Sequence, residues 1–231
     1  MKARHAPDRL DDRLDQLYAA RFPDAEREAK TRLWSVLCDA FFSRYVPRGG
    51  TVVDLGAGYC DFINHVRAAR RIAVDLNPDT RRFAAPGVEV FGAPLERLSD
   101  VLEPASVDLA FASNVFEHLR SPDHLLAVLD GVREALRPGT GRLVVLQPNV
   151  RKVGGRFWDF FDHTLPLTEK GLAEALAVAG LRVIECRPGF LPYTTKSRLP
   201  QWPALVRLYL ALPPAQWLLG RQMLVVAERP A

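Results

Sequence analysis

Apolar residues along this chain recur in two rhythms. Short apolar blocks near 51–55, 71–75, 88–91, 107–112 and 142–147 predict buried strands. Between them, helical spacing and end signals predict helices near 60–69, 78–84, 121–136 and 168–179. Arg137-Pro138-Gly139 reads as a helix stop, Thr168 as an N-cap and Gly180 as the glycine just past a helix end. Arg182–Glu185 and Met223–Ala227 predict two further strands. Strands that alternate with helices in this way imply a mainly parallel sheet covered by helices on both faces. Ahead of them, Leu10, Leu14, Leu17 and Tyr18 recur at helical spacing. After Pro23 so do Leu33, Trp34, Leu37, Phe41 and Tyr45, up to Pro47 and the Gly49-Gly50 pair.

These patterns divide the chain into a helical N-terminal cap (1–47), an α/β core (48–187), an inserted cap (188–221) and a last core strand (222–231). Two segments break the alternation. Residues 148–167 carry Phe157-Trp158-Asp159-Phe160-Phe161-Asp162-His163, and 188–221 are rich in Pro, Leu and aromatics. Both follow strands, where ligand-facing loops of open α/β sheets lie.

Composition changes this picture little. The chain has 231 residues, enough for one sizeable α/β domain with a cap, and a net charge of +4, too mild to imply nucleic-acid binding. Its distribution matters more. From Cys186 to Ala227 there is no acid, while Arg187, Lys196, Arg198, Arg207 and Arg221 are basic. Basic residues beside Trp and Leu suit an interfacial helix, a lid, or a dimer surface. The three cysteines are scattered and show no metal-ligand spacing, as expected of a reducing compartment. Residues 1–15 are highly charged with no apolar leader core, and no run is long enough to span a membrane.

The chemistry concentrates in Val52-Val53-Asp54-Leu55-Gly56-Ala57-Gly58-Tyr59-Cys60-Asp61, a buried strand that ends in an acid and enters a two-glycine turn. Ile72-Ala73-Val74 then ends in Asp75. Strand, glycine turn, helix, strand, acid is the layout of a nucleotide-binding βαβ unit. A dinucleotide is disfavoured: Asp61 stands where the third fingerprint glycine would be, and Asp54 would face a pyrophosphate with like charge. S-adenosylmethionine (SAM) carries a sulfonium and an ammonium and no phosphate, so a carboxylate there suits it.

The chain resembles the class I SAM-dependent methyltransferases, in particular the small single-domain bacterial group that methylates small molecules, sugars and lipids. The matching pieces are Val53-Asp54-Leu55-Gly56-Ala57-Gly58, Asp75 and Ser106-Val107-Asp108-Leu109-Ala110-Phe111. They continue with Asn114-Val115-Phe116-Glu117-His118-Leu119 and Ala135-Leu136-Arg137-Pro138-Gly139-Thr140-Gly141. The resemblance implies a Rossmann-like, seven-stranded, mainly parallel sheet whose last strand is antiparallel. Two positions depart from it. The family often has a glycine at Cys60, and often Gly-Asp where this chain has Gly92-Ala93.

The resemblance implies SAM as cofactor. Gly56 and Gly58 would let the backbone approach it, Asp54 would hold its methionine ammonium, and Asp75 would accept both ribose hydroxyls. Leu76 would pack on the adenine with Pro94 and Leu95 as the other wall, and Asn114 would complete the cofactor contacts. Methyl transfer to an alcohol also needs a base. His118, or His163 with Asp162 beside it, can serve; the alternative for both is an architectural role. No metal is expected.

The implied function is O-methylation of a small, sugar or lipid-linked glycan acceptor by a cytoplasmic monomer or homodimer, with peripheral membrane contact through 188–221. A nucleic-acid methyltransferase is the rival enzyme. Ser113-Asn114-Val115-Phe116 stands where those that methylate base amines usually carry Asn/Asp-Pro-Pro-Tyr, and no separate RNA-binding domain is visible, so no nucleic-acid partner is expected. A non-catalytic SAM-fold binding protein is the rival of another class.

Overall fold

The computed structural model describes residues 24–193 and 202–231. The expected helix through Leu10, Leu14, Leu17 and Tyr18 lies outside the described residues, as do Lys196 and Arg198. Seven strands form one sheet in the order β3-β2-β1-β4-β5-β7-β6. They are β1 (Thr51–Leu55), β2 (Arg70–Val74), β3 (Val88–Phe91), β4 (Leu109–Ser113), β5 (Arg142–Pro148), β6 (Arg182–Leu191) and β7 (Gln222–Glu228). All pairings are parallel except those of β7, which runs antiparallel to both β5 and β6.

Strand alternation sorts the core onto two faces. Val53, Ala110, Leu143 and Val225 point to one side, where α3 (Pro122–Ala135) and α5 (Glu169–Val178) cover them with Leu125, Val128, Leu129, Leu172 and Leu176. Val52, Phe111, Val144 and Val226 point to the other, against Trp34 and Leu37 of α1 (Asp24–Ala40) and against Phe42 and Phe62. Phe62 stacks on Phe111 with ring centroids 3.7 Å apart, and Trp34 meets Phe111 edge-on at 5.9 Å. The helix caps follow from sequence chemistry. Ser121 accepts from the His124 amide with Pro122 in the first turn, Thr168 accepts from the Gly171 amide, and Gly180 has φ 76°. Two single turns complete the core, α2 (Thr80–Phe83) and α4 (Val150–Val153).

The helix expected over 60–69 is replaced by a chain of turns. Gly56, Gly58 and Cys60 all have positive φ (67°, 50° and 60°), so the chain leaves β1 in left-handed steps that a right-handed helix cannot continue. Isolated bonds such as Asn64 N–H to Cys60 O (3.0 Å) and Val66 N–H to Phe62 O (3.1 Å) remain. Cys60 thus adopts a conformation that favours glycine.

The strand read at 182–185 is longer than expected. β6 runs to Leu191, with irregular register at Val183/Glu185 and Arg187/Leu191, so residues 188–191 belong to the sheet. After it, α6 (Pro203–Ala211) and α7 (Pro213–Leu219) form a helical hairpin that returns the chain to β7. Leu210 on α6 is buried with the α1 cluster, and Arg207 pairs with Asp39 of α1 at 2.7 Å.

Candidate active site

The site lies at the carboxyl ends of β1, β2, β4 and β5. The Gly56 and Ala57 amides both donate to the Val74 carbonyl (2.8 and 3.3 Å), tying the glycine turn to the end of β2. Gly56 is also closely packed, since a Cβ there would sit 2.5 Å from Val115 Cγ2. Asp75 is buried, and its carboxylate accepts the Gly58 amide at 2.6 Å on one oxygen and the Asn77 amide at 2.7 Å on the other. Each oxygen keeps a second lone pair, so the group is oriented and still able to accept two hydroxyls. Burial raises its pKa above the ordinary value; the Asn77 and Gly58 amides pull the other way.

Asp54 is buried at the end of β1. Burial pushes its pKa well up, the Asp75 charge adds to that, the Ile63 amide opposes it, and Asp61 and Lys30 act more weakly in opposite senses. Lys30 reaches over from α1 to Asp61 at 2.8 Å. Two desolvated carboxylates are a poor place for a pyrophosphate and a good one for a cationic ligand. The glycine turn and the acid pair therefore fit SAM.

The adenine walls divide. Leu76 is 44% exposed and Pro94 is partly open, both able to meet a ring. Leu95 is packed into the core beside α3 instead, so it supports that wall from behind. Asn114 sits after β4 at φ 52°, its amide bonded to the Leu146 carbonyl at 2.8 Å and its side chain donating to Ser113 Oγ at 3.1 Å.

His118, Asp162 and His163 come together although 44 residues separate the first two. The Thr164 and Leu165 amides donate to the Glu117 carbonyl (2.8 and 3.0 Å), which pins 162–165 beside the Phe116–His118 turn. His118 Nδ1 lies 3.1 Å from the Asp162 carboxylate and 3.2 Å from its carbonyl. Burial alone would lower the His118 pKa. The Asp162 hydrogen bond and the Glu117 charge outweigh it, and the net direction is up. In the neutral imidazole, a proton on Nδ1 shared with Asp162 leaves the lone pair on Nε2. His163 is buried, its ring 4.9 Å from that of His118 and stacked on Phe160.

The sequence showed no metal-ligand spacing, yet the fold gathers ligating atoms of Glu117, His118 and His163 within 4.8 Å of one another. A zinc-like ion would hold such atoms about 3.4 Å apart. Two further residues were not singled out from sequence. Tyr193 reaches the ring of Phe160 at 6.0 Å. Gln147 is buried on β5 with no partner for either side-chain polar atom. A polar residue ending the apolar run of β5 was the available signal for Gln147.

Residues 53–145 match the model of a family described as a methyltransferase domain. Comparison with curated proteins gives no match. Among solved structures, the chain is similar to one in the complex between the Haloferax volcanii Trm112 methyltransferase activator and its methyltransferase. The TM-score is 0.68 at 20% identity, covering 98% of this chain and 100% of that one. It is similar to a SAM-dependent methyltransferase from Archaeoglobus fulgidus (TM-score 0.62, 18% identity, 93% and 99% covered). It is also similar to geranyl diphosphate C-methyltransferase from Streptomyces coelicolor (0.58, 16%, 83% and 76%). The fold is that of the class I SAM-dependent methyltransferases. Residues 53–145 thus carry a methyltransferase domain within that fold, and the glycine turn and acid pair at its carboxyl edge are arranged as a SAM site would be.

Proposed function

We propose that the enzyme O-methylates a small, sugar or lipid-linked glycan hydroxyl, with His118 as the base. The observation that carries this reading is the Asp162–His118 contact beside the loop that closes on Gly56. SAM supplies an activated methyl group, so the protein has to orient the acceptor, exclude water and remove one proton. Asp54 and Asp75 hold the cofactor's cationic and ribose parts. SAM held there would supply the methyl group and leave as S-adenosylhomocysteine, and His118 Nε2 would take the acceptor's hydroxyl proton. Asp162 steadies the imidazolium that results. His163 is more deeply buried than His118 and positions its ring.

The test is incubation with labelled SAM and fractionated cell extract, with and without EDTA, followed by mass spectrometry of the products. Label on a hydroxyl of a glycan or small molecule, unchanged by EDTA, supports the reading. Label in RNA or on a nitrogen overturns it. Loss of activity in EDTA, restored by a divalent ion, would place that ion among Glu117, His118 and His163 instead.

A further inference from the structure

Large apolar side chains are left in water in two places. Trp158 and Phe161 follow β5 and are 58% and 76% exposed; Trp202 at the start of α6 and Trp217 within α7 are each 72% exposed. The two segments touch. Lys152 Nζ donates to the Trp217 carbonyl at 3.0 Å and lies 5.7 Å from its ring. The Tyr193 hydroxyl donates to the Arg156 carbonyl at 3.2 Å, and the Asn149 amide to that of Arg221 at 3.0 Å. Both segments leave the sheet at its carboxyl edge, the edge that holds the candidate site. Ring contacts run from His118 through His163 and Phe160 to Tyr193, where the hairpin region begins.

The charge on this rim is one-sided. Residues 202–227 contain no acid, and Lys152, Arg156 and Arg221 stand among the aromatics; Asp159 is the exposed acid of the 150–161 segment. Two basic residues first counted toward this surface are engaged elsewhere. Arg187 pairs with Glu185 and bonds Gln216, and Arg207 pairs with Asp39. Of the cations that remain, Lys152 lies 5.7 Å from the Trp217 ring, and the exposed Arg156 precedes Trp158 by two positions on the 154–161 segment. Exposed Trp with neighbouring Lys and Arg suits the headgroup level of a bilayer, where the ring is half buried and the cation meets phosphate. Among the described residues no helix is long and apolar enough to cross a membrane, so the rim can dock but those helices cannot span.

We infer that this aromatic and basic rim docks the enzyme on an anionic lipid surface, with the acceptor mouth turned to the bilayer. The inference goes beyond the reaction and holds whatever hydroxyl is methylated. Of the four tryptophans, Trp34 is buried and the other three lie on the rim, so emission reports docking directly. The experiment mixes the full chain with vesicles of phosphatidylcholine, alone or with phosphatidylglycerol, and follows flotation and tryptophan emission. Flotation and a blue shift with the anionic vesicles, weakened by salt, are expected. Trp158→Ala/Trp217→Ala and Trp202→Ala/Leu205→Ser should each weaken docking roughly tenfold or more. Both should leave S-adenosylhomocysteine binding intact, which separates this test from misfolding and from failure of the methyltransferase reading. No docking on either vesicle overturns the inference. Equal docking on neutral vesicles overturns the role of charge. A dimer whose rim tryptophans are already shielded, and which vesicles do not change, overturns it in favour of a second copy of the chain.

Discussion

Gly56 and Val115 are packed so closely that a β-carbon on Gly56 would stand 2.5 Å from Val115 Cγ2. The contact joins the turn after β1, which faces the cofactor, to the turn after β4, which leads to His118. Gly56 also has φ 67°. Gly56→Ala therefore meets a backbone penalty of about 1–2 kcal/mol and a separate steric one of similar size. Val115 Cβ would itself lie 2.9 Å from the new methyl, so urea unfolding of Gly56→Ala, Val115→Gly and the double variant separates the two. The double variant should recover the steric part alone. Full recovery would mean the left-handed backbone costs nothing here.

Asp75 is the ribose-binding group in this scheme. Asp75→Ala should weaken SAM binding by roughly 1.5–3 kcal/mol, the scale for hydrogen bonds to a charged group. The wild-type chain should bind SAM and not NAD. Calorimetry decides, and tighter binding of NAD than SAM would overturn the cofactor assignment for this site.

Burial raises the Asp54 pKa in the ligand-free fold. The sign follows from linkage: its stabilising contribution is full below the unfolded value and is lost as pH rises through the raised folded value. A cationic ligand reverses the preference, so SAM binding should release a proton and tighten as pH rises through that folded value. Calorimetry in two buffers of different ionisation enthalpy measures the release. Asp54→Asn should abolish both the proton release and the pH dependence. Unchanged release in that variant would assign the proton to another group.

The His118 pKa is raised, with Asp162 the leading favourable cause against burial. Protonated His118 thus stabilises the fold fully below the unfolded value of about 6.5, and that stability fades as pH rises through the higher folded value. Catalysis needs the neutral form, so turnover should rise with pH around a midpoint above that of free histidine. Asp162→Asn should move the midpoint down. His118→Ala should lose about 10²-fold or more in turnover while still binding SAM. A pH–rate profile unmoved by Asp162→Asn would remove Asp162 from the scheme.

Cys60 occupies a left-handed conformation and is fully buried, its thiol pushed up to about 12 by burial and the neighbouring acids. Cys60→Ala keeps the backbone strain and loses the contact of Sγ with the Thr80 carbonyl. Cys60→Gly loses the same contact but relieves about 1–2 kcal/mol of strain, partly offset by the freer unfolded chain. The glycine variant should therefore be at least as stable as the alanine one in urea. A markedly weaker glycine variant would make burial of the β-carbon the larger effect.

Much of this was legible along the chain because it is local. β1, β3, β5 and β7 are apolar runs near the predicted positions, and the Ser121 and Thr168 caps depend on residues within three positions of each other. Asp54, Gly56, Gly58 and Asp75 sit in one strand–turn–strand unit, so spacing alone places them around a cofactor. What failed was also local but hidden. Nothing in the identity of Cys60 announces the positive φ with which the chain enters 60–69, a span that forms turns where a helix was expected. β6 runs past the predicted 182–185 through Pro188-Gly189, a pair that in sequence resembles a turn.

Tertiary structure decided the rest, because those contacts join residues far apart in the chain. Hydrogen bonds from Thr164 and Leu165 to Glu117 bring Asp162 and His163 to His118, and no periodicity encodes that meeting. Packing put Leu95 into the core and left Leu76 open. Contacts across the fold engaged Arg207 with Asp39 and Arg187 with Gln216, and set Lys152 beside the exposed Trp217. Sequence alone determines strand, turn, acid and cap, each stabilised within a few residues. Burial, ion pairing and the grouping of catalytic side chains depend on which distant segments share a face, and only the folded sheet settles that.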